Sequence, residues 1–283
     1  MKVALALAVL YIVWGSTYGA MRIALGGFPP LLMAGVRFAT AGAALYVALR
    51  LRGAPPPTPR QWAHSLLVGV LLLACGNGGV AVAEQWVASG LAAVVISSVP
   101  LWSALFSGLF GRWPARREGI GLAIGAGGVL FLNLGGDMRG QPMGAIVLLG
   151  AAASWALGSV WSTRLSLPSG AMASASQMLA GGGVLLVASI AHGDRPTLAP
   201  APLLAMAYLI VFGSLIAYSA YGFLLRTVSP ALATSYAFVN PVVAVLLGVG
   251  VGHEHMDPLA ILAMAVILGG VALVIAKPTS AGQ

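Results

Sequence analysis

The chain has 283 residues, of which 59% are hydrophobic and only 7% are Asp, Glu, Lys or Arg. Soluble domains carry about 25% charged residues, so a water-facing surface of normal size is excluded, and so is disorder, which needs low hydrophobicity with high charge. The net charge of +8 raises nucleic acid as a partner, but the basic residues stand singly between apolar segments, with no basic domain to hold them, and no nucleic acid is expected.

A membrane-crossing helix needs about 20 mostly apolar residues. Such windows fall at roughly 3–23, 31–50, 63–83, 89–110, 119–135, 143–163, 170–191, 203–224, 230–251 and 258–276, which predicts ten spans. The breaks carry turn chemistry: Phe28-Pro29-Pro30, Pro55-Pro56-Pro57, Gly135-Gly136-Asp137, Leu167-Pro168 and Gly193-Asp194-Arg195-Pro196. Spans and short connections use up the chain, so no soluble domain is expected. The first window begins after Lys2 like a secretory signal, but it runs on through Trp14-Gly15-Ser16-Thr17-Tyr18, a poor cleavage context, and is expected to be retained. The 38 glycines suit close helix contacts in lipid. The one cysteine, Cys75, lies in an apolar run and excludes an internal disulfide.

Lys and Arg favour cytoplasmic loops. With the N-terminus inside, the inner side holds Lys2, Arg50, Arg52, Arg60, Arg112, Arg116, Arg117, Arg164, Arg226 and Lys277, and the outer side only Arg22, Arg139 and Arg195. Glu84, Asp137, Asp194, Glu254 and Asp257 fall outside, and only Glu118 inside. The bias predicts that both termini are cytoplasmic.

Shifting the sequence by 141 residues lays Trp14 on Trp155, Pro100 on Pro241 and Gly128 on Gly269. Residues 1–140 and 141–283 then read as two five-helix repeats. Five is odd, so the second repeat enters the membrane from the opposite side. The expected fold is an all-α membrane protein with an inverted-topology repeat, an architecture that places a substrate site near the midplane of secondary transporters.

Trp14-Gly15-Ser16-Thr17, the Pro-Pro followed by Arg37-Phe38, the Pro-centred fourth and ninth spans and the Gly-rich ends of the fifth and tenth resemble the EamA branch of the drug/metabolite transporter superfamily, most closely its ten-helix bacterial exporters of the YddG/YedA type. The resemblance covers nearly the whole chain and makes both halves EamA-like repeats. It implies export of amino acids, related metabolites or small toxic compounds across the bacterial inner membrane, with aromatic amino acids the substrates most associated with that type. The turn Gly252-His253-Glu254-His255 departs from the family's plain Gly-Glu.

Polar and aromatic side chains inside a bundle face its interior. Helical spacing puts Tyr11, Trp14 and Tyr18 on one stripe of the first span. Asn77 sits in Cys75-Gly76-Asn77-Gly78-Gly79, a run that invites local unwinding. Shared faces are also expected for Ser98 with Trp102, Trp155 with Ser159, Tyr218 with Tyr221, and Tyr236 with Asn240. Together these predict an aromatic, weakly polar substrate cavity able to stack on flat ligands and take cations on ring faces. Trp62, Trp86 and Trp113 lie at span ends and read as interface anchors. Arg37, about 9 Å into its span at 1.5 Å per residue, is an embedded charge with two readings: it attracts a substrate carboxylate or ties helices through carbonyls, or it snorkels to the headgroups. Pro100 and Pro241, read as mid-span, are candidate hinges or static kinks.

No acid or histidine lies mid-bilayer; Glu84 sits at the outer end of the third span and His64 at its inner end. Facilitated diffusion or substrate exchange is therefore expected, with a proton-coupled exporter of drugs or cations, working through Glu84, as the alternative. His253, Glu254, His255 and Asp257 read as a solvated turn, and no metal or other cofactor is expected. An intramembrane enzyme would need a nucleophile with its base, paired aspartates or His-Glu-x-x-His, none of which the spans supply, and the phosphate-binding Gly-x-x-x-x-Gly-Lys is absent too. A channel would need rings of carbonyls or charge. The expected partners are a small-molecule substrate and the lipid bilayer, and the expected working state is a monomer.

Overall fold

The computed structural model describes residues 1–87, 92, 95–132, 142–252 and 258–275. Among these the chain is helical with turns between, and no strand occurs. We number the helical rods in chain order: α1 Lys2–Leu25, α2 Pro30–Leu51, α3 Pro59–Ala83, α4 Val99–Leu109, α5 Arg116–Leu132, α6 Pro142–Ser162, α7 Ala171–His192, α8 Pro200–Thr227, α9 in two pieces, Pro230–Thr234 and Tyr236–Gly252, and α10 Pro258–Ile275. Six of them, α1, α2, α3, α6, α7 and α8, are long and apolar enough to cross a membrane. The Gly135-Gly136-Asp137 break and the His253–Asp257 turn lie outside the described residues, as do residues 88–91, 93 and 94 ahead of α4.

Turn residues set the boundaries. Proline opens α2, α3, α8 and α9, where its missing N–H costs no helical hydrogen bond. The start of α3 adds a capping box, in which the Gln61 N–H donates to the Thr58 hydroxyl and the Thr58 N–H donates to the Gln61 side chain. Gly193 ends α7 at φ 78°, a left-handed conformation that a side chain would strain.

Three rods contain a stretch of π-helix: Leu10–Trp14 in α1, Val70–Gly78 in α3 and Leu209–Ile216 in α8. The run around Asn77 is therefore widened rather than unwound, because a π turn spaces its hydrogen bonds further along the chain without breaking the rod. The two prolines sit differently in their helices. Pro100 is the second residue of α4, where it replaces no internal hydrogen bond. Pro241 alone stands inside a helix, six residues after the break at Ser235 that separates the pieces of α9.

Contacts respect the repeat. The heaviest are α2 with α7 and α5 with α10, each joining a rod to its counterpart in the other half. Other contacts come in exchanged pairs: α3 with α6 and α8 with α1, α3 with α7 and α8 with α2, α4 with α6 and α9 with α1. Glycine permits the closest crossing. A methyl placed on Gly182 of α7 would lie 2.5 Å from the Ala39 nitrogen of α2. Without a hydrophobic drive between helices in lipid, such backbone approach is a main source of cohesion.

Candidate functional site

Where α1, α6, α8 and α9 converge, four aromatic rings meet. Trp14 lies 4.6 Å from Tyr236, 5.2 Å from Tyr221 and 5.6 Å from Trp155, centre to centre, and Tyr221 is 5.6 Å from both Trp155 and Tyr236. Edge-to-face geometry dominates, the arrangement that ring quadrupoles favour. Polar tips fix the rings. The Trp14 indole N–H donates to the Gly213 carbonyl at 3.0 Å, in the π stretch of α8, where a shifted hydrogen-bond ladder leaves carbonyls for other donors. The Trp155 N–H donates to the Tyr221 hydroxyl at 3.1 Å, and Ser159 completes the knot at 2.6 Å from that hydroxyl.

This cluster separates two cavities. The first, a chamber of about 60 Å³, is lined by Trp14, Thr17, Tyr18, Met21, Arg37, Gly76, Asn77, Val80, Ile96, Val99, Ala151, Trp155, Tyr236 and Asn240. The second, a vestibule of about 540 Å³, reaches from Tyr218 and Tyr221 to Arg112, Arg164 and Arg226 near the helix ends. Tyr218 is held there by its hydroxyl, which donates to Gln177 at 2.7 Å.

Arg37 is 2% exposed, so it does not snorkel. Its Nε donates to the Ser214 hydroxyl at 2.8 Å, and its guanidinium packs against Gly213, where a methyl group would sit 2.8 Å from Nη2. Among the described residues, Nη1 is buried without a hydrogen-bond partner and no acidic residue lines the chamber. The reach of a long side chain is spent inward, because α8 brings a hydroxyl and a glycine within range. Asn240, 3% exposed, sits beside the Tyr18 hydroxyl, and the Oδ1 atoms of Asn240 and Asn77 are likewise buried and unpartnered.

Of the residues singled out from sequence, Trp14, Tyr18, Asn77, Trp155, Tyr236, Asn240 and Arg37 line the chamber, while Tyr218 and Tyr221 line the vestibule and Ser159 braces the rings between them. Tyr11 shares the stripe but turns to Ser235, 2.8 Å away. Ser98 and Trp102 line neither cavity: the Ser98 hydroxyl donates back to the Val95 carbonyl, and Trp102 stacks on Phe106. Sequence reasoning missed Thr17, Met21, Gly213, Ser214 and Gln177. The last two are polar residues in the middle of apolar windows, a visible signal that went unused.

Glu84 follows α3 directly and lies off the chamber, in a groove with Gln85, Trp86, Asp194 and Arg195. Both its carboxylate oxygens are buried without partners. Burial pushes its carboxyl up to about 7 from 4.5, with nearby Arg22 pulling the other way. His64, at the opposite end of α3, has Nδ1 3.1 Å from the Ser166 carbonyl.

Comparisons with known proteins match this architecture. The sequence profile of the EamA-like transporter family fits residues 1–134 and again 142–276, a spacing that reproduces the repeat. The chain is 52% identical over 272 residues to YedA of Escherichia coli (strain K12), named an uncharacterized inner membrane transporter, covering 95% of this chain and 89% of that one. A WAT1-related chloroplastic protein of Arabidopsis thaliana is 29% identical over 278 residues, covering 92% of this chain and 66% of that one. A solved crystal structure shares the fold with a TM-score of 0.80 at 21% identity, covering 97% of this chain and 98% of that one. Two family-matched halves packed in exchanged pairs around one aromatic junction make this chain a multi-pass membrane protein that belongs to the EamA-like transporter family.

Proposed function

We propose that the chain is a secondary carrier of the bacterial inner membrane that exports amino acids or similar small metabolites by facilitated diffusion or exchange. In this reading all ten rods cross the bilayer, both termini face the cytoplasm, and the repeats are inverted. Arg112, Arg164 and Arg226 then put the vestibule on the cytoplasmic side, and Glu84 marks the outer side. The two halves move against each other so that the chamber opens to one side at a time.

The observation that carries the reading is the four-ring junction between two cavities, built by residues of both repeats. A continuous pore would give a channel, whereas a chamber closed on one side by side chains from both halves is what alternating access requires. Trp14, Tyr18, Asn77, Trp155, Tyr236 and Asn240 contact the solute, Tyr218 and Tyr221 meet it from the vestibule, and Ser159 holds the gate. Pro241 and the Ser235 break supply flexure in α9. The chamber falls far below the 300–1,000 Å³ of drug-sized sites, which favours small metabolites over multidrug export. Because Glu84 lies off the chamber, coupling through it has no direct contact with the solute to act on.

The test is counterflow in vesicles carrying the purified chain, with labelled amino acids, nucleosides and cationic drugs. Saturable exchange of a labelled solute against its unlabelled form marks a carrier. Unsaturable flux marks a channel, and inertness towards the whole panel removes the reading.

A further inference from the structure

Three residues that line the chamber each carry a buried polar atom with no hydrogen-bond partner among the described residues: Arg37 Nη1, a donor on a cation, and the Oδ1 atoms of Asn77 and Asn240, both acceptors. Leaving a buried donor or acceptor unpaired is costly, and more so when the group is charged. Placing a cation within a bilayer adds a further cost. Arg37 is too deeply held to reach the headgroups, and the partners its guanidinium has among the described residues, the Ser214 hydroxyl and the face of the Phe38 ring at 4.8 Å, carry no negative charge. The site is therefore short of one negative charge at the guanidinium and of donors at the two amides.

The possible occupants can be compared group by group. A simple carboxylate satisfies Arg37 but leaves two buried carbonyl oxygens without donors. A simple amine satisfies the amides but leaves the guanidinium uncompensated and brings a second positive charge into the same small chamber. A solute with a carboxylate and an ammonium on one carbon satisfies all three atoms and adds no net charge. We infer that Arg37, Asn77 and Asn240 form a two-pole site for a zwitterion: the carboxylate docks on Arg37 Nη1 and the ammonium on Asn77 Oδ1 and Asn240 Oδ1. The rings of Trp14 and Tyr236 line the same chamber and offer the cationic pole further support. Ser214 and Gly213 are positioning residues, since they fix the guanidinium without themselves lining the chamber.

This inference rests on the carrier reading, and the experiment separates the two. Vesicles bearing the wild-type chain are tested with labelled alanine, leucine and phenylalanine, and in parallel with phenethylamine and 3-phenylpropanoate, the halves of phenylalanine that lack one pole each. The expected result is exchange of at least one zwitterion, with neither half-molecule exchanging or competing. Arg37→Gln weakens the apparent affinity for that zwitterion by about 30-fold or more, the loss expected for one buried charged partner. The Asn77→Leu/Asn240→Leu double variant makes 3-phenylpropanoate as good a competitor as phenylalanine, a switch that mere misfolding does not produce. Each variant must elute as a single species in detergent. A variant that does not is replaced by Arg37→Lys, which keeps the charge but loses the fork and is expected to fall between wild type and Arg37→Gln.

Wild-type exchange in a folded Arg37→Gln overturns the proposal, as does phenethylamine exchanging at the rate of phenylalanine; both leave the carrier reading standing. If no zwitterion exchanges while a nucleoside or drug does, the two-pole site is wrong and the carrier reading survives. If nothing exchanges, both fall.

Discussion

The chamber and the vestibule share helices α3, α4, α6 and α9 and are parted by the aromatic rings, yet they handle charge in opposite ways. In the chamber a single arginine is buried at 2% exposure, braced by Ser214 and by the Phe38 ring 4.8 Å away, with no acidic counter-ion among the described lining residues. In the vestibule three arginines line a space about nine times larger, and Arg164 is satisfied by the Phe110 carbonyl at 2.7 Å and by the face of that residue's ring. Charge beside water is cheap and acts over distance; charge out of water is costly and acts by contact. One cavity is suited to gathering solute and the other to selecting it.

The contrast depends on the rings that keep the cavities apart, so the largest effect is expected from removing one. Trp14→Ala deletes three ring contacts and the bridge to the Gly213 carbonyl. Truncating a buried tryptophan costs about 3–5 kcal/mol through lost contacts and the void left behind. Here the void also joins chamber to vestibule. The expected outcome is a lower melting temperature in detergent together with unsaturable leak in vesicles. A folded variant that still shows tight, saturable exchange would mean the ring junction is not the barrier.

Next comes the brace under Arg37. Ser214→Ala removes the hydroxyl that accepts from Nε and leaves a second donor of a buried cation unsatisfied. The expected loss is about 1–3 kcal/mol, read as a fall in melting temperature. Saturating the sample with a solute that pairs the guanidinium recovers part of it. The matching change in the vestibule, Arg164→Gln, removes a contact at an exposed position, and its effect on stability is expected to be within about 0.5 kcal/mol.

A smaller effect is expected at Glu84, outside both cavities. Its carboxyl titrates near 7 in the folded chain and near 4.5 when unfolded, so the folded state holds the proton more tightly. This contribution is complete below about pH 4.5, is lost as pH rises to 7, and is level above that. Melting temperature should therefore decline across that window, and Glu84→Gln should flatten the decline. Under facilitated exchange the same substitution leaves the pH profile of transport as it was. A transport profile that flattens along with stability would instead point to proton coupling through Glu84.

Much of the chamber was legible from sequence because its residues are conspicuous in lipid. A tryptophan, an asparagine or an arginine in the middle of an apolar window has few innocent places to be, and Trp14, Asn77, Asn240 and Arg37 all reach the chamber. The repeat was legible for a similar reason: Trp14 and Trp155 are rare residues at one offset, and they meet at 5.6 Å. Helical spacing was less informative. It fixes which face a residue occupies but not which neighbour that face meets, so Ser98 and Trp102 share a face and miss both cavities. Pro100 looked like the twin of Pro241, but the helix around it starts one residue earlier, at Val99. The π stretches were also hidden, since their local composition is that of any apolar helix.

The smallest expected effect tests the gathering half of the contrast. Arg226 lines the vestibule at the end of α8, and no acidic residue shares that lining. Its field should raise the local concentration of solutes with an exposed carboxylate, so Arg226→Gln is expected to slow uptake from the vestibule side a few-fold without changing which solutes compete. Screening decides the case. At about 0.01 M salt the Debye length is about 30 Å, whereas at about 1 M it is about 3 Å. The difference between wild type and Arg226→Gln should therefore vanish between those conditions, while the loss caused by Arg37→Gln, a contact effect in a buried chamber, should persist. If the Arg226→Gln deficit is the same at both salts, the vestibule arginine works by touching the solute, and the division between gathering and selecting fails.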